Sequence, residues 1–277
     1  MFTEPYMIRA FTAALALGPA CALLGVFVTA RRMAFFSETV AHGAILGVAL
    51  GFWFGIKDPT LPVILFSVFI GFCILWFKQN TPLLTDTIMA LLLSGSFSLG
   101  LVILSLLEGF RAELHSLLFG DVLSMGNDEV VLAVVISLVV IFSMLGLLTP
   151  MSLITLSEDL AKVKGINLRL LNAVFVIILT TTVAVSIRLM GIILVTALLI
   201  IPPATARNVC RTLKQQILGS ILVGFLSAFG GLWASFQFNT PCGPSVVLFS
   251  MILFLCSVAT ILVRKFFSAS FPAKSFQ

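Results

Sequence analysis

The chain has 277 residues, of which 60% are hydrophobic and only 10% charged, with a formal net charge of +5. A soluble domain carries roughly 25% charged residues, so a water-soluble enzyme is excluded. A single Tyr and the lack of any Lys/Arg-rich run leave no stacking platform or basic stripe for nucleic acid.

What remains is a polytopic membrane protein. A membrane-spanning helix takes about 20 predominantly apolar residues. Charge-free stretches run over 10–30, 39–56, 59–77, 87–107, 130–157, 170–187 and 189–206. The last stretch, 215–263, is too long for one span and divides between Gln237 and Pro244, where Asn, Pro and Gly suit a turn. Nine candidate helices result, or eight if one only dips into the bilayer or lies flat. The expectation is therefore an all-α, polytopic membrane helix bundle of eight to nine transmembrane helices. The apolar runs are continuous and too long to be barrel strands. The first run follows Met1-Phe2-Thr3-Glu4, which is no basic leader, and is read as a retained span. The five cysteines show no Cys-x-x-Cys spacing and are read as small buried residues.

Lys and Arg set the orientation. With Arg31-Arg32 placed inside, alternation puts 78–86, 150–169, 207–214 and the C-terminus on the same side. That side then holds 12 of the 16 basic residues, leaving Arg9, Lys57, Arg111 and Arg188 outside.

An ionisable group within a span is costly and points to function. Glu38 and His42 are four residues apart, on one face of a helix and a turn apart. A carboxylate and an imidazole suit zinc, manganese or iron(II), and two ligands leave a site open enough for exchange. The alternative is that the two side chains simply pair and orient each other. Gly43, Gly47, Gly51 and Gly55 follow at four-residue spacing as a small-residue packing face. His115, in an outer segment, is read as solvated.

In the inner segment 150–170, Ser157 suits an N-cap, with Glu158 and Asp159 in the first turn, where the helix dipole favours acids. Leu156, Leu160 and Val163 recur at helical spacing, and Gly165 is placed as a C-terminal stop. This short amphipathic helix is either a connector lying on the membrane or a docking element. Pro202-Pro203 interrupt the seventh span; they kink it, either as a gate or as a static bend.

Taken in order, several segments carry a resemblance: Arg31-Arg32-Met33 leading to Glu38-Thr39-Val40-Ala41-His42-Gly43, Phe119-Gly120-Asp121, Ser157-Glu158-Asp159-Leu160-Ala161 through Gly165, Gly191 through Arg207, and Thr240-Pro241-Cys242-Gly243-Pro244-Ser245. Over nearly its whole length the chain resembles the permease subunits of bacterial ABC importers for zinc, manganese and iron, the zinc permeases most. The resemblance implies one transmembrane domain, 1–277, of the cobalamin-importer type, in the inner membrane as a homodimer. It further implies a separate cytoplasmic ABC ATPase, an extracytoplasmic metal-binding protein, and a transported divalent metal in place of any permanently bound cofactor. Glu38 and His42 would handle metal along the path. Glu158, Asp159, Ala161 and Gly165 would belong to the helix coupled to the ATPase. The family usually has Asp where this chain has Glu38, one methylene longer.

No Gly-x-x-x-x-Gly-Lys-Ser/Thr loop occurs, so ATP binding of that kind belongs to another chain. A gradient-driven secondary metal transporter is the rival reading, and it predicts more ionisable groups within the spans. A membrane hydrolase would need a motif such as His-Glu-x-x-His, which is absent.

Overall fold

The computed structural model describes residues 5–56, 60–107 and 125–270. Every regular element among them is a helix: α1 (Pro5–Ala30), α2 (Phe36–Trp53), α3 (Thr60–Asn80), α4 (Thr85–Ser105), α5 (Asn127–Leu156), α6 (Glu158–Val163), α7 (Leu168–Met190), α8 (Ile192–Val209), α9 (Leu213–Phe238) and α10 (Cys242–Ser270). Eight of these are long and apolar enough to cross a membrane. The other long helix, α2, has 18 residues and carries Glu38 and His42. α3 returns antiparallel beside it, with Gly43 against Ile70 and Gly47 against Phe66.

Lipid tails are as apolar as leucine, so helices associate here through close packing and interhelical hydrogen bonds. α1 is the mast, buried along most of its length and packed on α5, α8 and α9. Its seam with α9 interleaves Gly18 and Ala22 with Ser220, Gly224 and Ala228. A Cβ on Gly224 would lie 2.9 Å from the Gly18 oxygen, and Ser220 Oγ donates to the Ala22 carbonyl at 2.8 Å. α5 and α10 instead turn most of their length outward, with Phe142 and Leu248 exposed. A second group, α2, α3 and α4, packs together and rests on α7 through α3.

The C-terminal ends of α1, α3 and α5 and the first turns of α7 surround one cavity, lined in part by Arg31, Lys78, Thr155 and Asn172. The segments around Arg31, Lys78 and Thr155, all assigned to one side by charge, therefore lie together at one end of the bundle.

Two expectations need correcting. The inner loop is shorter than 150–170, because α5 continues through Pro150 to Leu156. Pro150 withholds an N–H from the Gly146 carbonyl one turn earlier, a loss that membrane helices tolerate, and the helix runs on without a break. Gly55 is also not part of the packing face. It lies beyond the end of α2 at φ +73°, and a Cβ built on it would meet nothing within 4 Å.

Candidate functional site

The site begins with how α1 stops. Arg32 adopts φ 57°, its N–H donates to the Thr29 carbonyl at 3.3 Å, and the Met33 N–H donates to the Val28 carbonyl at 2.9 Å. This is a Schellman termination. The chain reverses and enters α2 at Phe36, placing Glu38 in the first turn of that helix, where its dipole favours a carboxylate.

His42 lies one turn further on, about 6 Å along the axis. Its Nδ1 is 2.9 Å from the main-chain carbonyl of Glu38. A carbonyl only accepts, so Nδ1 carries the proton and the Nε2 lone pair is left available, the tautomer found in metal-ligating histidines oriented by a backbone carbonyl. The imidazole meets the Phe97 ring of α4 edge to face, with centroids 5.0 Å apart. Thr39 Oγ1 reaches the Met89 carbonyl of α4 at 3.3 Å and ties the same two helices together.

No hydrogen bond or ion pair joins the Glu38 carboxylate to the His42 ring; the ring is held by the backbone. Both side chains are half-buried, so neither is sealed in the interior. Among the described residues, no three His, Cys, Asp or Glu side chains gather to hold a metal ion. One chain therefore offers two donors on one helix face, an incomplete site. The cysteines are all free thiols, and Cys21 and Cys242 are buried as expected, whereas Cys256 is exposed. His115 and Phe119-Gly120-Asp121 lie outside the described residues.

The inner loop folds as its sequence suggests. Ser157 Oγ accepts from the Leu160 N–H at 3.4 Å and caps α6. Gly165, at φ +74°, ends it: its N–H donates to the Lys162 carbonyl at 2.9 Å, and the Ile166 N–H to the Ala161 carbonyl at 3.0 Å. Ala161 points inward and is fully buried, while Leu160 and Val163 are left exposed. Asp159 pairs with Lys162 at 3.2 Å on the surface. Glu158 opens the helix. Pro202 and Pro203 are both buried within α8, which remains one helix from Ile192 to Val209. The structure thus puts α6 and the start of α2 at the same end of the bundle, and the two prolines on a separate helix.

Sequence reasoning missed Phe97 as the neighbour of His42. A signal was present, since Phe97 sits in Ser94-Gly95-Ser96-Phe97-Ser98, an unusually polar stretch for a charge-free span.

A family model described as the ABC 3 transport family matches residues 3–261. The high-affinity zinc uptake system membrane protein ZnuB of Haemophilus influenzae is 34% identical over 235 residues, covering 85% of this chain and 90% of that protein. The manganese transport system membrane protein MntC of Halalkalibacterium halodurans is 26% identical over 254 residues, covering 92% of this chain and 87% of that one. Among solved structures, PsaBC from Streptococcus pneumoniae in complex with Fab matches with a TM-score of 0.80 and 25% identity, over 92% of this chain and 91% of that chain.

Proposed function

The chain belongs to the ABC 3 transport family, and on that premise we propose that it is the permease subunit of an ATP-driven importer of a divalent transition metal in a bacterial inner membrane. Zinc is the first substrate, after the zinc uptake proteins it is similar to, and manganese or iron(II) comes next. The permease works as a homodimer. A separate cytoplasmic ATPase supplies the energy, and an extracytoplasmic binding protein supplies the ion.

One observation carries the metal reading: the His42 ring is fixed through Nδ1 to the Glu38 carbonyl, which leaves its Nε2 and the Glu38 carboxylate as donors on one half-open face. Borderline divalent ions accept such mixed nitrogen and oxygen ligands. Two donors bind loosely enough to release, and a second copy of the chain would bring two more.

Energy enters at α6. The exposed Leu160 and Val163 would seat in a groove of the ATPase, with Ala161 anchoring the helix to the bundle. Glu158, Asp159 and the Gly165 stop fix how the helix is presented. ATP-driven closure of the ATPase pair would move the two α6 helices, open the dimer outward to accept metal, and hydrolysis would reset it inward.

The deciding experiment is radiometal uptake, zinc against manganese and iron(II), in cells lacking their own high-affinity importers. The chain is expressed with its ATPase and binding protein, then with the ATPase inactivated. Uptake of one metal that disappears with the dead ATPase supports the importer and identifies its ion. Uptake that persists means a gradient-driven carrier instead.

A further inference from the structure

α2 and α4 form the most extensive helix pair among the described residues. They run in the same direction: Thr39 lies against Met89, His42 against Phe97 and Leu46 against Gly100, both numbers rising together. Thr39, His42 and Leu46 are spaced by three and four positions, so they form one ridge of α2. The His42 ring therefore stands in the middle of the seam, with one contact a turn before it and another a turn after.

Both flanking contacts are of a kind that fixes a distance. Thr39 is fully buried. Its one hydroxyl proton is shared between the Phe35 carbonyl of its own helix at 2.8 Å and the Met89 carbonyl of α4 at 3.3 Å. Valine would fill the same space, so packing alone does not call for the hydroxyl, and in hydrocarbon no water replaces such a bond. At the other contact, a Cβ built on Gly100 would lie 3.1 Å from both the Cα and the N of Leu46, backbone atoms that cannot rotate aside. Gly100 follows Phe97 by three residues, on the same side of α4. The separation it permits is thus the separation at which Phe97 meets the imidazole.

We infer that Thr39 and Gly100 are positioning residues: together they clamp α4 against α2, so that Phe97 holds the His42 ring with Nδ1 on the Glu38 carbonyl and Nε2 free for metal. Neither residue touches the ion. A metal donor has to be held in a narrow geometry by the groups around it, and an imidazole that is not braced turns about its own side-chain bonds. The metal part of the inference rests on the function proposed above, whereas the clamp does not.

The chain has two histidines, His42 and His115, so ring-nitrogen NMR of the full chain with isotope-labelled histidine shows two rings, and His115→Gln assigns them. In mildly alkaline buffer the imidazole is neutral, and its nitrogen shifts report which atom carries the proton. Wild type shows a single His42 form, protonated on Nδ1. Thr39→Val and Gly100→Ala each convert it to a mixture of tautomers, and Thr39→Ser, which keeps the hydroxyl, retains the single form. In cells with the ATPase and binding protein, Thr39→Val lowers zinc uptake at limiting metal roughly threefold, the worth of an average interhelical hydrogen bond in a membrane. An unaltered His42 signal in both variants overturns the inference, whatever their yield, as does a wild-type ring protonated on Nε2. A mixed ring with undiminished uptake upholds the clamp and removes His42 from the metal path, which counts against the proposed function and not against the positioning.

Discussion

The carbonyl oxygen of Leu199 faces Gly25 so closely that a Cβ built on Gly25 would lie 2.0 Å from it. Pro203, four residues after Leu199, has no N–H to offer that carbonyl. The oxygen freed by the proline is thus covered by the one residue type that lets another helix come this near, and Cα–H···O contacts of this kind recur at helix interfaces. Pro203 Cγ would itself be 3.0 Å from the same Cβ. The irregularity in α8 is packed against α1, so the two helices are mechanically joined at this point.

Gly25→Ala therefore lowers the melting temperature of the purified chain, by the equivalent of about 1–3 kcal/mol for an overpacked contact. Pro203→Ala returns an N–H to the Leu199 carbonyl and draws it back into α8. The double variant should then be more stable than the sum of the single effects by at least ~0.5 kcal/mol. Strict additivity in thermal melts would show that the two residues are not coupled.

Glu38→Ala and His42→Ala each abolish metal uptake while leaving recovery of the ATPase unchanged, because both side chains are half-exposed donors rather than packing elements. Wild-type uptake in both variants would remove them from the pathway. Glu38→Asp keeps the carboxylate in the form usual for the family it resembles, and retains transport.

Phe97 acts on the metal only through His42. An aromatic contact of this geometry is worth about 0.5–1.5 kcal/mol, so Phe97→Leu lowers uptake roughly two- to tenfold at limiting metal. The deficit should shrink at saturating metal, which separates loss of affinity from loss of folding. A uniform loss at all metal concentrations, with reduced protein yield, would mark Phe97 as structural.

Gly165 offers a clean separation of backbone from bulk, since nothing lies within 4 Å of where its side chain would be. Leucine there pays only for the left-handed conformation, about 1–2 kcal/mol, whereas asparagine is a natural substitute in such caps. Gly165→Leu loses ATPase-driven uptake and Gly165→Asn keeps it. Equal, normal ATPase recovery and uptake in both would dismiss the cap of α6 from coupling.

Sequence alone determined the membrane class, the apolar stretches that become the long helices, and the caps of α6, because each depends on composition or on residues a few positions apart. Ser157 and Gly165 were legible for that reason, as was the shared face of Glu38 and His42. Tertiary structure decided the rest. That His42 is held by a main-chain carbonyl rather than the Glu38 carboxylate depends on a rotamer set by packing against Phe97 of α4. That α5 passes through Pro150 instead of stopping there is seen only in the fold. That Gly55 ends a helix instead of packing depends on where α2 stops. The bond from Arg31 to Asn172 joins residues 141 positions apart, and Leu199 meets Gly25 across the α1–α8 interface. In a bundle whose spans are all similarly apolar, pattern cannot say which helix faces which. Only close packing, acting between segments distant in the chain, makes that choice.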